Sequence, residues 1–399
     1  MIDRRDFLKT VSAATPIALW GPSLFAATAA AGSGPTPNWD RILVMVELKG
    51  GNDGLNTVAP FADPLYPEFR PNLSMNSDQV LKLDEKLGLH PALSGLYQSW
   101  RQDELAVALG CGYDNPNRSH FRSIDIWHTA ANSDEYMGEG WLTRMLRENQ
   151  PPAEYMADGI VLGQGDPGPM RGHGIRSIVM KNPQEFIDRG RDARQAKDVP
   201  EQNALAHVLG VENDLARAVR DMREKIIAGP ELITAFPTTG FGQQMETTAK
   251  LITAGIPFAA IKVAQGGYDT HAGQTNRHQQ LLGELNAGIV AFKQAMQELN
   301  MWDKVLLMTY SEFGRRVKEN GSIGTDHGTS APHFLMGGKV KGGLYGAQPA
   351  LSDLRGDGDL KHSLDYRCIY ETVSKHWWNL GDNFANAKNK VRPLDCIKA

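Results

Sequence analysis

Six short, mainly apolar runs recur along the chain: RILVMVEL (41–48), LAVALG (105–110), IRSIVM (175–180), FAAIKVA (258–264), KVLLMTYS (304–311) and HFLMGG (333–338). None alternates apolar with polar residues as a strand with one wet face would, so each reads as a strand covered on both sides. Between the later runs lie helical patterns, NALAHVLGVENDLARAVRDMREKII (203–227) and RHQQLLGELNAGIVAFKQAMQEL (277–299), with apolar residues spaced by three and four. Strands alternating with helices predict an α/β fold: a doubly wound, mostly parallel central sheet with helices on both faces. Such sheets bind ligands beyond the carboxyl ends of their strands.

The 399 residues, 41% of them apolar, suffice for one large core, and the net charge of −4 with mixed signs leaves no basic stripe for a nucleic-acid partner. At the N-terminus RRDFLK (4–9) precedes the weakly apolar VSAATPIALWGPSLFAA and a run of small residues. That pattern is an export signal, and it resembles a twin-arginine signal, with Asp3 where a Ser or Thr is usual. The reading is a signal over 1–31, a Gly/Pro linker over 32–40 and a single domain over 41–399, exported by the twin-arginine machinery to the periplasm or another extracytoplasmic space. No later stretch reaches the roughly 18 apolar residues that a membrane span needs. Cys111, Cys368 and Cys396 form neither a disulfide framework nor a zinc knuckle, although Cys368 and Cys396 could bridge in an oxidising compartment.

Polar residues gather just after three of the strands. KGGNDGLNT follows the first, QGGYDTHAGQ follows FAAIKVA, and EFGRR and then GTDHGTSAPH follow KVLLMTYS. In GGYDTH, Asp269 and His271 stand two apart, so in an extended loop both leave on one side and can reach one ion; the alternative is a polar turn capping the helix that starts near Asn276. His327, flanked by Gly324 and Gly328, supplies a third ligand of the kind an open catalytic zinc site uses. Asp53, Glu312 and Asp326 offer carboxylates to a second cation position, where oxygen ligands suit zinc, magnesium, manganese or calcium. Ser119, beside His120 in NPNRSHFRSIDIW (115–127), is the candidate nucleophile, or else a helix N-cap. Arg315 is the candidate to hold an anionic group of the substrate, since a guanidinium grips two oxygens side by side; Arg316 reads as a solvated charge. His333 reads as a packed, hydrogen-bonded histidine, and DYRCIYETVSKHWWN (365–379) as a closing amphipathic helix with Trp377 and Trp378 in the core.

VELKGGNDGLNTVAP, NRSHFRSIDIW, GGYDTH, TYSEFGRR and GTDHGTSAPHFLMGG, in that order, resemble the alkaline phosphatase and sulfatase superfamily, and most of all its twin-arginine-exported, sulfatase-like branch of unknown function. The resemblance implies an alkaline phosphatase-like fold, with Asp53 as a first-strand metal ligand, Ser119 as the nucleophile or its neighbour, Asp269 and His271 as the paired ligands, and His327 as the late histidine. At 312–313 Glu-Phe replaces the superfamily's Asp-His, so Phe313 cannot ligate. No C-x-P-x-R motif is present, which argues against the modified-cysteine sulfatase mechanism. The expected function is an exported, metal-dependent hydrolase of a small or polymeric phosphate or sulfate ester, with zinc the first choice at Asp269, His271 and His327. The alternative is a ligand-binding or scaffold protein that has kept the fold and lost turnover.

Overall fold

The computed structural model describes residues 36–163, 165–190, 204–384 and 391–398; the signal read at 1–31 lies outside them. Beside a small three-stranded sheet of Val58–Ala59, Leu81–Lys82 and Gly88–Leu89, the strands of its main sheet are β1 Ile42–Lys49, β2 Leu105–Gly112, β3 Gly159–Leu162, β4 Ser177–Met180, β5 Ala260–Gly266, β6 Val305–Tyr310, β7 Ala331–Met336, β8 Gly343–Tyr345 and β9 Leu364–Asp365. They make one sheet in the order β8-β2-β7-β6-β1-β5-β3-β4, with β9 also beside β2. Every pairing in this main sheet is parallel except those of β7, which runs antiparallel to both β2 and β6. The α/β class read from the sequence is the class observed.

β1 lies in the middle, and its mainly apolar sequence follows from burial on both sides. Ile42, Val44, Val46 and Leu48 enter one core with Leu96, Phe241, Met245, Leu281, Leu285 and Ile289. These come from the helices α2 Ser94–Arg101, α6 Gly240–Thr253 and α7 Gln274–Glu298. Leu43 and Met45 enter the opposite core with Ile126, Trp127, Trp141, Leu142 and Tyr370. Those side chains belong to α3 His120–Thr129, α4 Trp141–Glu148 and α8 Arg367–Glu371. Further helices include α1, Gly54–Thr57, and α5, Ala204–Ala228.

Parallel β1, β5 and β6 deliver their outgoing loops, 50–53, 267–273 and 311–316, to one edge of the sheet. The antiparallel β7 delivers its incoming loop there instead, because Ala331 pairs with Cys111 near the end of β2. That reversal brings 324–330 to the same edge as the others. Gly50 lets two of these loops touch: its φ of +116° suits glycine, and a Cβ there would lie 2.4 Å from the Asp269 amide nitrogen.

Cys111, Cys368 and Cys396 are buried free thiols, so the bridge left open between Cys368 and Cys396 is not formed. Two expectations need correction. The closing helix is short, Arg367–Glu371, and continues as a π-helical turn over Thr372–Trp377, although Trp377 and Trp378 are core residues as read. His333 is packed, but its Nδ1 has no hydrogen-bond partner.

Burial pushes His90 down to about 4 and His278 and His333 down to about 3 from an ordinary value of 6.5. Between those values and about 6.5 the unfolded chain binds protons that the folded one refuses. Stability therefore falls as pH drops from about 6.5 toward 4, by up to about 1.4 kcal/mol per pH unit for each ring. Urea unfolding at pH 7, 6 and 5 checks this; equal midpoints would contradict it.

Candidate metal centre

Four side chains from three segments meet at the carboxyl edge of the sheet. Asp269 Oδ1 lies 3.0 Å from His271 Nε2 and 3.1 Å from His327 Nε2, and the two imidazole nitrogens are 3.1 Å apart. His120, the first residue of α3, brings its Nε2 to 3.5 Å from Asp269 Oδ2. Among the described residues, His120, Asp269 and His327 offer donor atoms within 4.8 Å of one another, as a metal site would.

The remaining ring nitrogens fix the tautomers. His327 Nδ1 is 2.8 Å from the Arg118 carbonyl, which only accepts, so that nitrogen carries the hydrogen. His271 Nδ1 is 3.0 Å from Asp326 Oδ1, and His120 Nδ1 is 3.0 Å from Glu312 Oε1; both carboxylates again accept. In neutral rings all three Nε2 atoms then present lone pairs. Burial holds the His327 imidazole below its ordinary pKa, which favours that neutral form. With both rings neutral, two imidazole lone pairs and a carboxylate oxygen face each other at 3.0–3.1 Å. Such a contact is repulsive until a cation enters it. A tetrahedral ion with donors at about 2.0–2.1 Å separates them by about 3.3 Å, so the set fits after a shift of a few tenths of an ångström.

Electrostatics support the same arrangement. Burial alone pushes Asp269 up, but the hydrogen bond and charge of Arg315 hold its carboxyl below the usual range. The hydrogen bond from His271 does the same for Asp326. The His120 imidazole is pushed up, chiefly by its hydrogen bond to Glu312.

Not every residue read from the sequence faces the cluster. Asp53 is fully buried, ion-paired to Arg70 at 2.7 Å, and accepts from the Leu55 and Asn56 amides at the start of α1, so it faces the scaffold. Glu312 accepts from the Gly50 amide at 2.7 Å as well as from His120, which makes it a brace for the histidine. Asp326 likewise braces His271. Arg315 is buried, and the hydrogen bonds it makes go to the protein's own acceptors, which sets it beneath the cluster as a brace and out of reach of a substrate. It binds the carbonyls of Gly51 at 2.7 Å, Thr325 at 2.9 Å and Tyr268 at 3.1 Å, the Gly50 carbonyl, and Asp269 Oδ1 at 2.6 Å. Arg316 donates to the Asp357 carbonyl at 2.9 Å. Ser119 is the exposed N-cap residue of α3, and its hydroxyl makes no capping bond. His120 was visible in the sequence only as a neighbour of Ser119. Its partner Glu312 is 192 residues away, and the usable signal was a histidine at the start of the helix that follows a strand and its loop. Phe313, in place of a ligand, packs its ring against His120 and His327 at centroid distances of 5.0 and 4.6 Å.

The fold and site together define an α/β protein with a solvent-facing His/Asp cluster at the carboxyl edge of a mostly parallel sheet. Residues 40–387 match the family described as "Protein of unknown function (DUF1501)", and the chain belongs to that family. No curated protein matches the sequence. Among solved structures, an alkaline phosphatase superfamily protein from Vibrio parahaemolyticus is similar at 12% identity and TM-score 0.42, over 98% of this chain and 78% of that one. The C-terminal periplasmic domain of EcEptC from Escherichia coli, in complex with Zn, is similar at 11% identity and TM-score 0.42, over 93% and 90%. The phosphonate monoester hydrolase of Agrobacterium radiobacter is similar at 9% identity and TM-score 0.37, over 86% and 74%. No helix among the described residues is long and apolar enough to cross a membrane.

Proposed function

We propose that the chain is an exported, metal-dependent hydrolase of phosphate or sulfate esters, with Asp269, His271 and His327 holding a divalent cation, zinc first. The observation that carries the metal is the meeting of Asp269 Oδ1, His271 Nε2 and His327 Nε2 at 3.0–3.1 Å from one another. The ester class comes from the motif resemblance, and export from the signal-like residues 1–31. A cation bound there supplies Lewis-acid polarisation and eases loss of a proton from a nearby hydroxyl.

The chain's own groups divide the remaining work. Asp326, Glu312 and the Arg118 carbonyl hold His271, His120 and His327 in the tautomers that aim Nε2 inward. His120 Nε2 is the atom placed to take or return a proton, because its Nδ1–H stays on Glu312. Ser119 is the hydroxyl carried next to it in sequence, exposed and not spent on a cap. Arg315 acts from below as a brace on Asp269.

His271→Ala is expected to abolish both bound zinc and turnover of aryl phosphate or sulfate esters, read by metal analysis and a release assay on the same sample. Removing a metal ligand costs far more than the roughly 10–100-fold expected for a residue that only orients one, so Asp326→Ala should fall in that smaller range. Full aryl-ester turnover in His271→Ala would sink the mechanism. Stoichiometric zinc with no turnover of any ester would leave the metal site standing and favour a binding or scaffold role.

A further inference from the structure

His271 and His120 are aimed by carboxylates, but His327 is aimed by a backbone carbonyl, that of Arg118, 209 residues away. Whatever fixes that carbonyl therefore fixes His327. It stands on the loop between β2 and α3, which also carries Ser119 and leads into His120. The Ser119 amide donates to Asn117 Oδ1 at 2.8 Å, the Ser123 hydroxyl to the Asn117 carbonyl at 2.6 Å, and the Asn117 amide to the Tyr113 hydroxyl at 3.4 Å. These bonds shape the loop from within and do not tie it to the segments that bring Asp269, His271 and His327.

The Arg118 side chain makes that tie. Its Nη2 donates to Asp357 Oδ2 at 2.8 Å and to Asp359 Oδ2 at 3.0 Å, on the turn that precedes β9. The Asp359 side chain is wholly buried, whereas that of Asp357 is 37% exposed, so solvent screens the bond to Asp359 least. The turn is rigid in its own right. The Arg355 amide donates to the Asp359 carbonyl and the Gly358 amide to the Arg355 carbonyl, both at 2.8 Å, and Asp359 Oδ1 accepts from the Leu360 amide at 2.9 Å.

The same turn grips the segment that carries His327. The Thr329 hydroxyl, two residues past His327, donates to the Leu360 carbonyl at 2.7 Å. A circuit of bonds is thereby closed: from the Arg118 carbonyl to His327 Nδ1, along the chain to Thr329, across to Leu360 and Asp359, and back to the Arg118 guanidinium. Arg316 also reaches this turn, through the Asp357 carbonyl at 2.9 Å, but lies outside the circuit. A guanidinium beside Ser119 could instead grip an anionic substrate, but swinging Nη2 away would leave the Asp359 carboxylate buried and unpaired, which is costly.

We propose that Arg118 and Asp359 are a positioning pair for the metal centre: their ion pair holds the Arg118 carbonyl where it keeps His327 in the Nδ1–H tautomer with Nε2 toward the cation. The proposal rests on the cation reading above for the ion, and on the circuit of bonds for the pair. Orienting partners of this kind are worth about 10–100-fold in metal affinity. Because a single nitrogen makes both bonds, a lysine ammonium at 118 can take them over.

The test measures zinc affinity of the full chain by chelator competition, and the His327 Nδ1 proton of the metal-free chain by ¹⁵N NMR, assigned by its loss in His327→Ala. Arg118→Gln and Asp359→Asn should each weaken zinc about 10–100-fold and speed exchange of that proton. The double variant should bind no more than about threefold more weakly than the poorer single one, because both substitutions open the same circuit. Arg118→Lys should stay within about threefold of the parent, and Arg316→Gln within about twofold, which a general loosening of the turn would not allow. If Asp359→Asn does not fold, Arg118→Gln against Arg118→Lys decides. Zinc affinity unchanged in either single variant, fully additive losses in the double one, or an equal loss in Arg316→Gln overturns the proposal. So does a rise in aryl-ester KM in Arg118→Gln with zinc affinity intact, which would make Arg118 a substrate contact. If the parent binds no zinc, the cation reading fails by itself and the Nδ1 proton decides: faster exchange in both single variants sustains the pair, and a proton absent from the parent or unchanged in both overturns it.

Discussion

Arg315→Met is expected to destabilise the protein by at least about 3 kcal/mol and to loosen the whole carboxyl edge of the sheet. Arg315 is buried and gathers three loops at once: the Gly50 and Gly51 carbonyls after β1, the Tyr268 carbonyl and Asp269 carboxylate after β5, and the Thr325 carbonyl before β7. Methionine fills much of the volume and satisfies none of these acceptors. A buried acceptor left without its partner costs about 1–3 kcal/mol, so even partial rescue by water for four carbonyls leaves a large deficit. Urea unfolding gives the number, and a loss below about 1 kcal/mol would show that the loops hold without the guanidinium. Zinc affinity measured on the folded protein should fall as well, because Asp269 loses the bond that fixes its rotamer.

Asp53→Ala is expected to cost about 3–5 kcal/mol by a different route. Asp53 and Arg70 are both fully buried, and removing the carboxylate strands the guanidinium. Arg70 also holds the Val317 carbonyl at 2.9 Å and the Arg316 carbonyl at 2.7 Å, so the damage passes to the strip leading to Asp326 and His327. Burial alone pushes the Asp53 carboxyl up, but Arg70 and the nearby His278 hold it below the usual range. With the folded pKa lowered, the pair's stabilisation is present above the unfolded value of about 3.9 and is lost as pH falls through the folded one. Folded Asp53→Ala should still bind zinc with nearly unchanged stoichiometry. Loss of the metal with little loss of stability would return Asp53 to the role of a ligand.

The sheet was legible because burial on both faces leaves a mark on composition: Ile42 to Val46 and Leu48 are apolar, and the one charge among them, Glu47, is buried against Lys262 at 2.7 Å. Strand direction left no such mark. HFLMGG reads the same whichever way β7 runs, yet its reversal is what carries His327 to the edge that Asp269 and His271 share. The pair Asp269 and His271 was readable from spacing within one loop. Asp53 was misread because an acid after a strand looks alike whether it meets a cation or a guanidinium, and Arg70 lies outside that strand-end loop. Arg315 was misread for a related reason: sequence shows a charge on a loop and hides the five acceptors from distant segments that consume its donors.

The central claim is that Asp269, His271 and His327 form a cation site. Calorimetric titration of Zn²⁺ into the full chain and into His271→Ala/His327→Ala, paired with thermal melts, tests it without needing a substrate. The parent should take up one tight equivalent and gain stability, about 2.7 kcal/mol at a free zinc concentration 100 times Kd, and the double variant should show neither effect. Uptake that survives undiminished in the double variant, or no uptake by the parent at all, contradicts the account.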